Sequence, residues 1–271
     1  MTGEVKNAGG INTKTLRIIV MSLFMTFAVH GIAAAGGPFG PPQPIAKAGG
    51  GLHTAIGYWY HEDIYKNGRE FLTMQNQVYS EAGYGTQRWD IYARIGISDL
   101  KMQDAFSSAS ALTTTSNNDL QENWKFFGTL GAKIFFPFNE TFGMGVFVQG
   151  TYFFRSFTDE VSGTSNGTPY RAVLRIDDLW DANFGIGFQA TVPYGVRLYA
   201  GPYVYYSEAT AYLSTNVPGL PFSTESTTIK NKTNVGGFAG IDAPLAKGFR
   251  LNFEGQYSER LSVGGAITYT Y

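Results

Sequence analysis

The C-terminal stretch Phe249 to Tyr271, FRLNFEGQYSERLSVGGAITYTY, decides the fold, because two chemically different sets of residues alternate along it. In a β-strand, neighbouring side chains point to opposite faces, so the pattern predicts two strands with one apolar and one polar face. The apolar set is Phe249, Leu251, Phe253, Gly255, Tyr257, Val263, Gly265, Ile267, Tyr269 and Tyr271. The other set is Arg250, Asn252, Glu254, Gln256, Ser258, Ser262, Gly264, Ala266, Thr268 and Thr270.

Alternation alone does not say which face meets protein and which meets solvent. A soluble sandwich would bury its apolar face against protein and turn its charges to water. The export signal and the rest of the chain favour the opposite arrangement, with lipid outside and polar groups inside. The sequence therefore predicts an all-β fold, a closed antiparallel up-and-down transmembrane β-barrel.

Residues 1–35 have the three-part layout of a secretory signal peptide. A basic segment precedes an apolar run from Ile18 to Val29, and Ala33 and Ala35 supply an A-x-A cleavage site. The alternative is a retained membrane anchor, but this run is shorter than the ~20 residues that a helix needs to span a bilayer. We expect cleavage after export through the inner membrane.

The composition also favours a barrel. The chain has 34 Gly, 17 Tyr and 21 Phe, the bias expected of β-barrels with aromatic girdles. It has no Cys, which avoids premature cross-links during passage through an oxidising periplasm. The formal net charge of −1 gives no indication of nucleic acid as a partner.

The remaining chain divides into a leader and a barrel. Residues 36–51 are rich in Pro and Gly and are expected to form a periplasmic leader, with a plug that enters the barrel as the alternative. Residues 52–271 are expected to form ten strands, with eight or twelve as alternatives. The expected strands are 52–61, 71–84, 89–98, 123–136, 142–156, a sixth ending near 191, 196–207, 229–242, 249–258 and 262–271.

The connections between these strands alternate in length. Long polar loops are expected at 99–122, 157–171 and 208–228, and short turns on the other side of the sheet. Outer-membrane barrels have short turns in the periplasm and longer loops outside.

Over about residues 50–271 this pattern resembles the small bacterial outer-membrane β-barrel proteins of the porin-like superfamily, which include the membrane domain of outer-membrane protein A. The most specific part is a C-terminal signal of alternate residues, from which Gly265 departs. Its members are Val263, Ile267, Tyr269 and Tyr271. The resemblance implies a Gram-negative outer membrane, with its lipid and lipopolysaccharide, its assembly machinery and periplasmic chaperones as partners. It implies no particular substrate.

Alternation also predicts charged side chains inside the barrel. Glu81 and Arg94 are equally far from a turn at Gln87 and Arg88, so they are expected to pair across strands. A structural role is expected because a narrow barrel is filled and its charges need partners, and an ion-selective constriction is the alternative. The lumen charge candidates are Glu81, Arg94, Lys133, Arg197, Arg250 and Glu254. Further inward candidates are Asp90, Lys125, Arg155, Asp181 and Asp242, with Gln75, Gln77, Gln149, Gln189 and Gln256 between them.

Most aromatic clusters lie near predicted strand ends, where they are expected to form two girdles at the headgroup level, with an apolar ligand site as the alternative. No catalytic residue, metal site or cofactor is predicted. After the signal only His53 and His61 remain, and eight residues along a strand separate them by about 26 Å, too far to share a metal or a proton.

Three classes of function follow. The expected one is a non-enzymatic barrel that gives structure or a porin-like passage to small solutes. The alternative is a surface binding or adhesion protein that acts through its long loops. A barrel enzyme is disfavoured by the scarcity of His.

Overall fold

The computed structural model describes residues 38–47, 49–106, 118–165, 168–216 and 223–271. The predicted signal peptide lies outside the described residues. Within them the chain forms twelve strands, and every pairing is antiparallel. The strands are β1 (Gly51–Asn67), β2 (Arg69–Gly85), β3 (Trp89–Met102), β4 (Leu120–Pro137), β5 (Phe142–Phe153), β6 (Phe157–Ser165), β7 (Thr168–Val192), β8 (Val196–Asn216), β9 (Ser223–Asn231), β10 (Val235–Ala246), β11 (Phe249–Tyr257) and β12 (Leu261–Thr270).

Ten of these strands form a closed ring in the order β1–β2–β3–β4–β5–β7–β8–β10–β11–β12. The ring closes where β12 pairs with β1, from His53 opposite Thr270 to Tyr60 opposite Val263. Closure gives every spanning strand a hydrogen-bonded neighbour on both sides, which a sheet in hydrocarbon requires. The prediction of a closed antiparallel barrel with ten strands in its wall is confirmed.

The two remaining strands lie in segments that were predicted as loops. β6 pairs with β7 from Phe157 to Ser165, and β9 pairs with β8 along most of its length. The outer faces of these hairpins are polar, so the hairpins lack the apolar outer face by which spanning strands are recognised, although inward residues such as Phe157 and Val161 are buried. Their many Thr and Ser residues, with Thr among those that favour strands, still support an extended ladder.

Four short turns lie together at one end of the ring, which we call the turn end. The other connections, which include the longest one, between β3 and β4, lie at the opposite loop end. The turns are residues 86–88, 138–141, 193–195 and 247–248. In one of them the side-chain oxygen of Asn139 accepts hydrogen bonds from the backbone N–H groups of Thr141 at 2.8 Å and Phe142 at 2.7 Å. These two bonds take the place of the hydrogen bonds between strands where the chain reverses.

The barrel is apolar outside and polar inside. Ile56 and Leu130, both on the outer wall, are 68% and 71% exposed, whereas Asp242 and Gln256 in the lumen are fully buried. This is the reverse of a soluble protein and is what a barrel solvated by hydrocarbon requires. No helix of the described chain is long and apolar enough to cross a membrane.

Exposed aromatic side chains form belts at both ends of the outer wall, as predicted. At the turn end they are Tyr84, Trp89, Phe136, Phe138, Phe142, Tyr194, Phe249 and Tyr271. Towards the loop end they are Tyr58, Trp124, Phe126, Tyr152, Phe154 and Tyr257. Because polar-edged rings prefer the headgroup level, the two belts mark the borders of the lipid-facing wall.

The lipid-facing wall predicts a position-dependent effect of charge. On the outer face of β1, Ile56 lies between Leu52 at the rim and Tyr58 of the belt towards the loop end, and Leu52 has 57% of its surface exposed. We expect Ile56→Arg to lower the free energy of unfolding by about 2–4 kcal/mol and Leu52→Arg by at most about 1 kcal/mol. Urea titration of the protein refolded in lipid vesicles measures both. Equal effects would contradict the proposed orientation of this face.

Candidate functional site: the filled lumen

The lumen is occupied by three groups of described residues. An N-terminal segment, residues 38–47, enters from the turn end, and we call it the plug. Charged side chains of the barrel wall form a polar layer beside it. Apolar side chains fill the lumen towards the loop end. The candidate site is this filled lumen, because any solute that crosses the barrel must pass all three.

The plug is held first by a buried carboxylate on β11. The backbone N–H groups of Phe39 and Gly40 each donate to one oxygen of Glu254, both at 2.8 Å. The amide of Gln256 and the hydroxyl of Tyr199 donate to the same carboxylate at 2.8 and 3.0 Å. Glu254 therefore has two donors from the barrel and two from the plug, which compensate for burying its charge.

The side chain of Phe39 is the apolar anchor of the plug. It is fully buried, and its ring centre lies 4.1 Å from that of Phe147 and 5.2 Å from those of Tyr203 and Phe238. Three aromatic side chains that point into the lumen thus surround it, in tilted and edge-on contacts that favour aromatic association.

Closer to the turn end, the plug makes polar contacts with three more strands. Gln43 and Gln189 exchange two hydrogen bonds of 3.1 and 3.2 Å, and Arg197 donates to the carbonyl of Gln43 at 3.1 Å. The hydroxyl of Thr270 donates to the carbonyl of Ile45 at 3.2 Å. The backbone polar groups of the plug therefore find partners in the wall.

A pair of glycines makes room for the plug. Gly145 and Gly187 lie opposite each other on β5 and β7. A Cβ at Gly145 would come within 2.8 Å of Pro42, and one at Gly187 within 2.6 Å of the same ring. Any larger residue at either position would collide with Pro42, so the two glycines leave the space that the Pro42 ring occupies.

These contacts correct one expectation. The sequence was expected to place residues 36–51 in the periplasm as a leader, whereas the described part, 38–47, lies in the lumen, as in the plug alternative. The physical reason is that a Pro- and Gly-rich segment cannot pair as a strand but can offer N–H groups and an aromatic ring to a preformed cavity.

The polar layer is centred on Glu81 and Arg94, which lie directly opposite each other on β2 and β3, as the turn geometry predicts. Arg94 Nε donates to Glu81 Oε2 at 2.6 Å. The guanidinium also lies over the rings of Tyr79 and Tyr92, at 4.9 and 4.8 Å from their centres. Ion pair and aromatic rings together provide partners for a charge that is almost fully buried.

His53 joins this layer, a role that the sequence reasoning missed. Its Nε2 lies 3.5 Å from Glu81 and 3.6 Å from Asp90. His53 was considered only together with His61, as a metal or proton partner along one strand. The pairing of β1 with β2 places His53 beside Gly83, one step from Glu81 on the same face, and this register was the available signal.

The other lumen charge candidates also lie on the inner wall. Lys133 is buried, with its Nζ 5.4 Å from the ring centre of Tyr92. Arg250 donates to Asp242 at 2.7 Å, and Arg197 lies 3.8 Å from the same carboxylate. Lys133 is close to Arg94 and its partners, whereas Arg197 and Arg250 form a separate group around Asp242 near the turn end.

The expectation that Arg155 points inward is wrong. β5 ends at Phe153, so Arg155 lies in the connection to β6, where its side chain is exposed. The alternation that was extended to residue 156 stops three residues earlier.

Towards the loop end the lumen is apolar, because alternation sends every second aromatic residue inward. Most aromatic clusters were expected to belong to the girdles, but a third of their members are buried instead. Examples are Trp59, Phe127, Phe135, Phe153, Tyr203 and Tyr205. The apolar cluster of the lumen comprises Tyr65, Tyr79, Leu100, Met102, Ala105, Phe106, Leu120, Phe127, Phe153, Phe157, Val161, Tyr170, Ala172, Leu174, Ile176, Leu179, Ala209, Ala211 and Ile229.

Two hollows of the surface lie on the outer wall and not in the lumen. Their volumes are about 720 and 700 Å³, and exposed apolar residues such as Phe188 and Leu130 line them. They are shallow parts of the lipid-facing surface above glycine and alanine residues. Within the described parts of the chain, no group of three His, Asp or Glu side chains is arranged to hold a metal.

The C-terminal residues lie on β12 at the turn end, where Ile267 and Tyr271 are exposed on the outer wall. Tyr269 packs between Phe249 and Tyr271, at centre distances of 4.6 and 4.8 Å. Gly265, the departure from the expected signal, lies under the ring of Phe253, which a Cβ would approach within 3.1 Å. Their role as an assembly signal stays a prediction.

A scan against protein-family models gives no match, and a search of the curated proteins gives none either. Solved structures with a similar fold include the outer membrane protease OmpT from Escherichia coli, with 12% identity, a TM-score of 0.45 and coverage of 82% of this chain and 95% of that one. The translocator domain of the autotransporter NalP from Neisseria meningitidis has 11% identity and a TM-score of 0.42, covering 82% and 88%. The Ralstonia pickettii toluene transporter TbuX has 11% identity and a TM-score of 0.37, covering 89% and 95%.

At these identities and scores the matches carry no argument about function. The assignment depends instead on the molecule itself, on a ring without free edges, an apolar outer wall between aromatic belts and a polar lumen. With these features, the chain is a transmembrane β-barrel.

Proposed function

We propose that this chain is a non-enzymatic outer-membrane protein that gives small solutes a controlled passage, with the plug as the closing element. Two features support the proposal. The wall encloses a lumen lined by polar and charged side chains, and the segment that blocks its turn end belongs to the chain itself. A barrel with only a structural role needs no separate segment to fill that end.

The observation that carries the proposal is how the plug is bound to Glu254. Two of the four donors to this carboxylate come from the plug and two from the barrel. When the plug leaves, Glu254 keeps Tyr199 and Gln256, and water can replace the two lost N–H groups. Displacement therefore does not leave a buried charge without partners, which is the costly outcome for most buried carboxylates.

Weakening this contact should open the barrel. In Glu254→Gln the side chain has no charge and one acceptor oxygen in place of two. We expect the closed state to be destabilised by about 2 kcal/mol relative to the open state, which shifts the equilibrium roughly 30-fold towards the open state. The measurement is the swelling rate of proteoliposomes in small sugars, together with conductance in planar bilayers.

The matched control is Glu140→Gln, which makes the same chemical change in an exposed turn at the same end. It should leave both rates unchanged. The stronger variant lacks residues 38–47 altogether. If that folded barrel stays sealed to solutes and ions, the polar layer and the apolar cluster close the lumen without the plug, and a structural role replaces the proposed passage.

The same proposal places the protein in the outer membrane, in contact with lipopolysaccharide and lipid, after chaperoned transit of the periplasm. Insertion would depend on the C-terminal residues Ile267 and Tyr271, which are exposed on the outer wall beside the seam of the ring.

A non-enzymatic role is supported by the surroundings of His53. This imidazole is 2% exposed and lies near two carboxylates inside the filled lumen, an environment that suits a structural contact. A general base has to be reached by its substrate.

The alternative function, binding at the cell surface, is favoured by the two hairpins at the loop end. β6 with β7, and β9 with β8, extend the sheet beyond the ring as hydrogen-bonded ladders. Such ladders present side chains in a defined arrangement, which a binding surface requires. Removing residues 158–174 without loss of cell attachment would count against this alternative.

A further inference from the structure

A cavity of about 530 Å³ lies at the loop end of the lumen, and we call it the outer pocket. It is formed where the β1–β2 hairpin, β3, β7, β8 and β9 approach one another. This size is ordinary for a small-molecule site, since such cavities commonly have volumes of about 300–1,000 Å³. The pocket is separate from the plug and from the polar layer.

The inner wall of the outer pocket is apolar, and exposed Asn67, Ser226 and Thr227 add polar groups at its rim. Leu174, Ile176 and Ile229 form its inner part and are almost completely buried, and Phe71 and Leu213 line it while partly exposed. Arg69 and Glu225 carry the only charges among its lining residues, and both are exposed. An ion that entered beyond these two residues would lose its hydration without gaining a partner, so the wall selects against charged molecules.

One polar group lies beneath this wall. A small void next to the pocket shares Met102, Ile176 and Ile229 with it and is also lined by Gln75. Gln75 is 4% exposed, its Oε1 contacts His61, and its Nε2 has no hydrogen-bond partner. A buried donor without an acceptor is unfavourable, and an acceptor atom of a bound molecule would satisfy it.

We propose that the outer pocket binds small, uncharged, mainly apolar molecules, and that Gln75 donates a hydrogen bond to a single hydroxyl or carbonyl oxygen of the ligand. This inference rests on the proposed function and names one class of solute that this pocket would hold. Its apolar inner wall offers sugars and ions no partners within the pocket, and the single donor favours an aromatic alcohol over the parent hydrocarbon. The ligand enters from the loop end, opposite the plug.

The test measures binding of naphthalene and 1-naphthol to the full-length protein in lipid nanodiscs, with empty nanodiscs as the reference for partition into lipid. We expect saturable binding of both, with 1-naphthol about fivefold tighter, the factor that one neutral hydrogen bond contributes. Gln75→Leu should abolish that preference and keep naphthalene binding.

Ala211→Trp fills the pocket and should weaken both probes at least tenfold, whereas Thr224→Trp, on the exposed side of β9, should change neither. If Ala211→Trp does not fold, Leu213→Arg at the partly exposed edge is the second variant and should also weaken both. Binding no greater than in empty nanodiscs, or unchanged in a folded pocket variant, overturns the inference. Binding is measured without transport, so a sealed barrel that still binds naphthol rejects only the passage function.

Discussion

Replacing Arg94 with methionine is expected to lower the free energy of unfolding of the barrel by about 3 kcal/mol. The substitution removes the donor that lies 2.6 Å from Glu81 and leaves this carboxylate in the lumen with His53 as its nearest partner, at 3.5 Å. Removing one member of a buried pair is more harmful than removing both, because the remaining charge still lacks its hydration. Urea titration in lipid vesicles measures the change.

Two further variants distinguish the effect of breaking this buried pair from the effect of removing any charge. The double variant Arg94→Met with Glu81→Gln should recover to within about 1 kcal/mol of the parent, since no charge is then left unpaired. Lys101→Met breaks the pair of Lys101 with Asp119 at the loop end, where the lysine side chain is 38% exposed, and should cost less than about 1 kcal/mol. A double variant that is as unstable as Arg94→Met alone would refute the pairing argument.

The second large effect is expected for Phe39→Ala, which removes the apolar anchor of the plug. Truncating a fully buried phenylalanine commonly costs about 3–5 kcal/mol, and here the loss falls on the contact between plug and wall. We therefore expect the open population to rise at least about a hundredfold. Because the chain has no cysteine, a thiol introduced by Ala46→Cys is unique, and its labelling by an impermeant maleimide reports release of the plug.

The labelling rate follows the open population when opening is fast compared with the chemical step. The control is Phe138→Ala, which truncates an exposed phenylalanine in a turn at the same end, in the same Ala46→Cys background. It should leave the rate unchanged. If Phe39→Ala also leaves it unchanged, the aromatic contacts do not hold the plug in place.

The ring and its orientation could be predicted from the sequence because both depend on local alternation. The period of two along β11 and β12 indicates which residues share a face. The contrast between Phe253 and Glu254 indicates that one face is apolar and the other is charged. The opposition of Glu81 and Arg94 followed from one tight turn. These inferences require no knowledge of distant contacts.

The plug could be named only as an alternative, because nothing local distinguishes a leader in water from a segment inside a cavity. Its contacts join residues far apart in the chain, such as Phe39 with Glu254, and a Pro- and Gly-rich segment has no periodicity to follow. The one available signal was the isolated aromatic ring of Phe39 among small residues. It has meaning only once the aromatic residues of the lumen are known.

The two extra strands and the inward-facing aromatic residues were not predicted, for related reasons. β6 and β9 lie beyond the lipid-facing wall, so their outward side chains are polar, and the few inward apolar residues, such as Phe157, Val161 and Ile229, resemble isolated residues of a polar loop. The clusters that contain Trp59 and Phe127 were treated as units, although alternate members of a strand face opposite ways. Applying the period of two within each cluster would have placed these rings in the lumen.

The seam between β12 and β1 has a consequence for the order of events in biogenesis. The plug is the first part of the described chain to be synthesised, yet β11 and β12, the last parts, hold it through Glu254 and Thr270. Its contacts therefore cannot be complete until the final strands have been added. A nascent barrel arrested before β11 would offer Phe39 its aromatic neighbours but not Glu254 or Thr270, so full closure of the entrance requires the whole barrel.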